Sequence, residues 1–183
     1  LSGEWNDLLG FPAIKHHMII FGDSGQGKST FAIQYGKYLA QNFGKVLYIS
    51  GEEGFSLTFK NKFVLNDVTS VTFDVADIRN FDEVLKFVPK NSYNFIFIDS
   101  LDMMKISIQN LREIKEKYNN AAIITISQIT KTGEIRGSNE LLFESDIAVL
   151  VSSGVATTTK NRFKEIGVKF NVFEKFESSK QAA

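Results

Sequence analysis

Apolar runs of strand length recur along the chain, with amphipathic stretches between them. They are HHMIIFG (16–22), KVLYISG (45–51), VTSVTFDVA (68–76), NFIFIDS (94–100) and AAIITISQ (121–128). Several are apolar on both faces, as central strands of a parallel sheet must be when helices cover each side. Helical patterns fill the intervals at 28–43, about 55–64, 81–88 and 107–120. In the last, Ile108, Leu111 and Ile114 recur at three-residue spacing while Arg112, Glu113, Lys115, Glu116 and Lys117 fall mainly elsewhere, the pattern of a crossover helix with a solvated face. Strand and helix in alternation predict an α/β domain with a mainly parallel central sheet.

The rhythm changes near residue 146, where IAVLVSS, a turn at Gly154, TTTKNRF, a turn at Gly167 and VKFNVFEKF follow one another. Short strands joined by glycine-containing turns are hairpins, so the sheet is expected to end in a C-terminal antiparallel extension. The tail 177–183 is polar and small and is expected to fray, leaving 1–176 as one domain.

Composition changes this picture by exclusion. A length of 183 residues, 43% hydrophobic and 23% charged, suits one globular domain. There is no cysteine, which removes disulfides, cysteine zinc sites and thiol nucleophiles. His16 and His17 are adjacent, would face opposite sides of a strand, and so are expected to be structural rather than joint metal ligands. Lys plus Arg and Asp plus Glu number 21 each, so net charge points to no polyanion and no membrane. The chain has neither an apolar run of about 18 residues nor the order of a signal peptide, and a cytoplasmic location is expected.

The candidate chemistry begins at GDSGQGKST, which fits G-x-x-x-x-G-K-[ST] with Gly22, Gly27, Lys28 and Ser29, between a predicted strand and a predicted helix. Such a loop, here Gly22, Asp23, Ser24, Gly25, Gln26, Gly27, Lys28, Ser29 and Thr30, turns backbone N–H groups toward a β-phosphate at a helix N-terminus. Lys28 is placed to reach β- and γ-oxygens and Ser29 to ligate Mg²⁺ of an ATP-type substrate. NFIFIDS ends in Asp99, where a neighbouring strand supplies the second Mg²⁺-directed carboxylate. KVLYISGEEG puts Glu52 and Glu53 just past the second strand, at the sheet edge where ligands sit, and either can polarise an attacking water.

At this point the order of motifs resembles the RecA-like core shared by RecA, DnaB-type helicases, KaiC and above all the RadA/Sms ATPases. LYISGEE, ITKTGEIRG (129–137), KNRF (160–163) and DLLG (7–10) carry the resemblance, which covers about residues 7–174. It implies a three-layer RecA-like P-loop fold and an ATPase, with Glu52 catalytic, Glu53 in reserve, and Gln128 as a γ-phosphate sensor. Lys160 and Arg162 are two residues apart on a predicted strand and share its face; the resemblance implies that they act in trans on a neighbour's nucleotide within a hexamer or filament. Lys105, Lys131 and Arg136 occupy the family's DNA-facing loops, which implies a repair, recombination or helicase-type motor on single-stranded DNA. RadA usually has histidine in place of Gln128 and glycine in place of Lys164, and it carries flanking modules. This chain therefore reads as a stand-alone or excised core. A KaiC-like regulatory ATPase that does not touch DNA is the alternative, favoured by the neutral charge. A small-molecule kinase ranks last, since Arg79, Arg112, Arg136 and Arg162 make no arginine-rich lid.

Overall fold

In the computed structural model, which describes residues 1–130 and 139–174, the predicted alternation folds into one eight-stranded sheet of order β3-β2-β4-β5-β1-β6-β7-β8. The strands are β1 (His17–Gly22), β2 (Val46–Ser50), β3 (Phe73–Ala76), β4 (Phe95–Asp99), β5 (Ala122–Gln128), β6 (Ile147–Ser152), β7 (Val155–Asn161) and β8 (Lys169–Asn171). The helices are α1 (Gly3–Leu9), α2 (Lys28–Asn42), α3 (Leu57–Leu65), α4 (Phe81–Phe87), α5 (Ile108–Lys117) and α6 (Asn139–Glu144). Strands β1 to β6 are parallel, and β7 and β8 turn back antiparallel.

The central strands β1, β2 and β4 are buried at every position, which is why their sequences lack polar alternation. Two apolar clusters result, one on each side of the sheet. The first gathers α1 and α2 over Met18, Ile20, Tyr48 and Phe97. The second gathers Leu111 and Ile114 of α5 with Val84 of α4 over Ile19, Ile49 and Ile98. Helix α5 starts at a capping box between Ser107 and Asn110, and α3 starts where the Ser56 hydroxyl accepts from Phe59 N–H at 3.1 Å.

Three features differ from the sequence expectation. The third strand shrinks from 68–76 to Phe73–Ala76: it is an edge strand paired only with β2, and the Val46 N–H donates to the Thr72 carbonyl at 2.8 Å where that pairing begins. IAVLVSS is not only the first arm of a hairpin: β6 also pairs in parallel with β1, so it belongs to the parallel sheet as much as to the extension. Helix α1 has no counterpart in the periodicity; its Trp5 stacks on Phe170 at 4.7 Å between centroids and packs near Tyr35 and Tyr38, a cluster assembled from three distant segments. The expected fraying tail, 177–183, lies outside the described residues.

Candidate nucleotide site

Parallel order brings the carboxyl ends of β1, β2, β4 and β5 to one edge, and a cavity of about 550 Å³ opens there. Strand β1 runs out at Gly22, where a side chain would collide with the Val151 carbonyl of β6, so only glycine lets the chain leave the sheet at this point. The loop then turns through Asp23, Ser24, Gly25 and Gln26 to Gly27, whose left-handed φ of 102° opens α2. Gln26 fixes the loop from outside: its side-chain oxygen accepts from Ser153 N–H at 2.5 Å and its carbonyl from Gly154 N–H at 3.2 Å. Ser153 and Gly154 both have positive φ, as a two-residue hairpin turn between β6 and β7 requires.

Lys28, Ser29, Thr30, Glu52, Asp99 and Gln128 all line the cavity, with Ser24, Gly25 and Gly27. The Lys28 ammonium donates to the Asp23 carbonyl at 2.7 Å and is buried; burial lowers its pKa, while the Asp99 and Glu52 carboxylates oppose that shift. Asp99 is 4% exposed and accepts from the Tyr48 hydroxyl at 2.6 Å. Burial raises its pKa, and hydrogen bonds from Tyr48 and Ser29 pull it back.

The two glutamates part company. Glu52 is exposed to the cavity and accepts from the Ser100 hydroxyl at 3.1 Å, one residue beyond Asp99. Glu53 is half-buried and ion-paired with Lys62 of α3. Gln128 ends β5 directly opposite Gly22, and its backbone N–H is held by Asp102 at 2.7 Å.

Lys160 and Arg162 are nowhere near this cavity. Lys160 pairs with Ala148, which pairs with Ile19, three residues or about 10 Å upstream of Gly22 along β1. The Lys160 ammonium donates to the Leu142 and Phe143 carbonyls at 2.7 Å each, and Arg162 pairs with Asp146 at 3.1 Å. Strand β7 ends at Asn161, so Arg162 stands just past it, although both cations turn toward the junction of α6 and β6. Lys105 is exposed on the turn after β4; Lys131 and Arg136 lie outside the described residues. His16 and His17 are buried, bonded to the Ala13 carbonyl and the Thr125 hydroxyl, and burial drives the His17 pKa down to about 3, as structural histidines behave.

Four contributors have no place in the motif pattern: Tyr48 on Asp99, Ser100 on Glu52, Asp102 behind Gln128, and Phe173, which lies against Gly27 and walls the cavity.

No family model matches the chain. It is 30% identical over 190 residues to the DNA repair protein RadA of Streptococcus pneumoniae, covering 90% of this chain and 44% of that protein. It is 30% identical over 192 residues to the RadA of Campylobacter jejuni, covering 91% and 43%. Among solved structures, one ATPase domain superposes with a TM-score of 0.68 at 14% identity, over 92% of this chain and 85% of that one. The chain has the RecA-like P-loop fold. It spans less than half the length of the curated relatives it matches. In this RecA-like domain, among the described residues, no helix is long and apolar enough to cross a membrane, and no three His, Cys, Asp or Glu side chains cluster as a metal cage.

The donors that remain fit Mg²⁺, a hard cation held through one or two protein oxygens together with substrate phosphate: the Ser29 hydroxyl and the Asp99 carboxylate would hold it. Asp99→Asn keeps the size and removes the charge. It is expected to raise the Mg²⁺ concentration for half-maximal activity about ten-fold or more, read by titrating Mg²⁺ at fixed nucleotide. An unchanged titration would leave Asp99 as a partner of Tyr48 alone.

Proposed function

We propose that the chain hydrolyses ATP to ADP and phosphate in the cavity at the carboxyl edge of the sheet, and that it does so as an oligomeric motor associated with single-stranded DNA. The observation that carries the first part is the convergence of Lys28, Ser29, Asp99, Glu52 and Gln128 on one cavity large enough for a nucleoside triphosphate.

The chain's own residues divide the work. Loop amides from Gly22 to Thr30 hold the phosphates, and Lys28 meets the β- and γ-oxygens where charge develops. Mg²⁺, when bound, neutralises phosphate charge. Glu52 orients the attacking water and takes its proton as the new P–O bond forms and the bond to ADP breaks. Gln128, at a strand end fixed by Asp102, senses the γ-phosphate. Arg162 and Lys160 cannot reach their own cavity, so they complete the site of a neighbour in a hexamer or filament.

Glu52→Gln is expected to bind ATP normally and to hydrolyse it about 10²-fold more slowly, whereas Glu53→Gln should lose far less, because Glu53 is occupied by Lys62. The reverse result would shift the catalytic carboxylate by one residue. The DNA reading draws on the RadA relatives, named as DNA repair proteins, and on Lys105 at the same edge of the sheet. The neutral charge instead favours a regulatory ATPase that leaves DNA alone. ATPase rate with and without single-stranded DNA across salt decides: stimulation that fades with salt supports the motor, and its absence supports the regulator.

A further inference from the structure

The junction between α6 and β6 holds a carboxylate that the nucleotide site does not use. Asp146 is fixed on both sides of its backbone: its N–H donates to the His17 carbonyl at 2.8 Å, and its own carbonyl accepts from Arg162 N–H at 3.1 Å. Its side chain is equally committed, with Oδ2 accepting from His17 N–H at 2.9 Å and Oδ1 paired with the Arg162 guanidinium at 3.1 Å. His17 in turn belongs to β1, a strand buried at every position. One end of Asp146 is thus anchored to the rigid core, and the other grips an arginine whose side chain is 59% exposed.

We propose that Asp146 is the positioning residue that aims Arg162 at a neighbouring subunit's nucleotide, a reading that rests on Arg162 acting in trans. A free arginine on an exposed edge samples many rotamers and would have to be ordered at each encounter. Asp146 engages one terminal nitrogen of the guanidinium, Nη1, which leaves the other end of the fork for a phosphate oxygen. The cation is therefore presented in one orientation before the neighbour arrives, which is how ordering cost is removed from a catalytic step. Lys160, held on the carbonyls that end α6, stands beside it and keeps a second positive charge on the same side.

The test uses the full chain and steady-state ATP hydrolysis. Asp146→Asn keeps an oxygen to accept from His17 N–H but turns an amide toward Arg162, so kcat should fall about 10- to 100-fold while KM for ATP stays within about two-fold of the unaltered value. Asp146→Ser, which also keeps an acceptor and loses the charge, should behave alike and guards against a folding defect peculiar to asparagine. Combined with Arg162→Ala, either substitution should add no further loss. Mixing separates positioning from general damage. An Asp146→Asn chain has a competent nucleotide site and a misdirected arginine, so it should regain activity with a Glu52→Gln chain and none with an Arg162→Ala chain.

Unchanged kcat in both Asp146 variants, an additive loss with Arg162→Ala, or recovery on mixing with Arg162→Ala would overturn the assignment while leaving Arg162 in its role. Failure of Arg162→Ala to recover with Glu52→Gln, in mixtures shown to co-assemble, would remove the trans arginine itself and Asp146 with it.

Discussion

Arg162→Ala is expected to bind ATP as the unaltered chain does and to hydrolyse it at least about 10³-fold more slowly, the scale of a lost arginine finger. Binding is spared because the residue sits at the far end of β6 and β7 from its own loop, beside Asp146 and away from every residue that lines the cavity. Turnover is lost because the cation it supplies stabilises charge that appears only in the transition state. If neighbours complete the site as proposed, the unaltered chain's activity per subunit should rise with protein concentration. Nucleotide affinity by calorimetry and specific activity over a concentration series check both halves. Full activity in the variant, or specific activity independent of concentration, would mean that the chain needs no neighbour.

Lys28→Ala is expected to lose ATP binding and turnover together. The ammonium is buried at the foot of the loop with two carboxylates, Asp99 and Glu52, acting on it electrostatically. Its removal deletes charge-assisted hydrogen bonds to phosphate worth about 1.5–3 kcal/mol each, about ten- to a hundred-fold in affinity apiece. It also leaves the triphosphate facing Asp99 and Glu52 without the cation of the loop, so the loss should exceed that figure. Calorimetric titration with ATP reads it directly, and near-normal affinity would end the phosphate-binding reading of the loop.

Much of this site can be read in the linear chain because its parts are local. GDSGQGKST carries its own turn, helix start and cation within nine residues, and NFIFIDS ends its buried strand on the acid. The glutamates show where locality stops. Residue type and spacing leave Glu52 and Glu53 equivalent, the family resemblance alone favours Glu52, and in the fold Ser100 just past β4 binds Glu52 while Lys62 of α3 pairs with Glu53. The cations of KNRF show it again: their spacing suggests a shared target, but only the register of β6 and β7 places them too far from their own loop.

The layered α/β fold and the phosphate loop are written in the linear chain, because central parallel strands must be apolar on both faces and a phosphate cradle needs glycines beside a helix start. Whatever depends on partners far apart in the chain is settled only on folding. Folding reduces the third strand to four residues at an open edge, joins β6 to the parallel sheet, and builds α1 into the core through Trp5. It also separates Glu52 from Glu53 and ties Arg162 to Asp146. Those outcomes come from hydrogen bonds and ring contacts closed between distant segments, and hydrophobic periodicity, which reports only which face of an element is buried, carries no record of them.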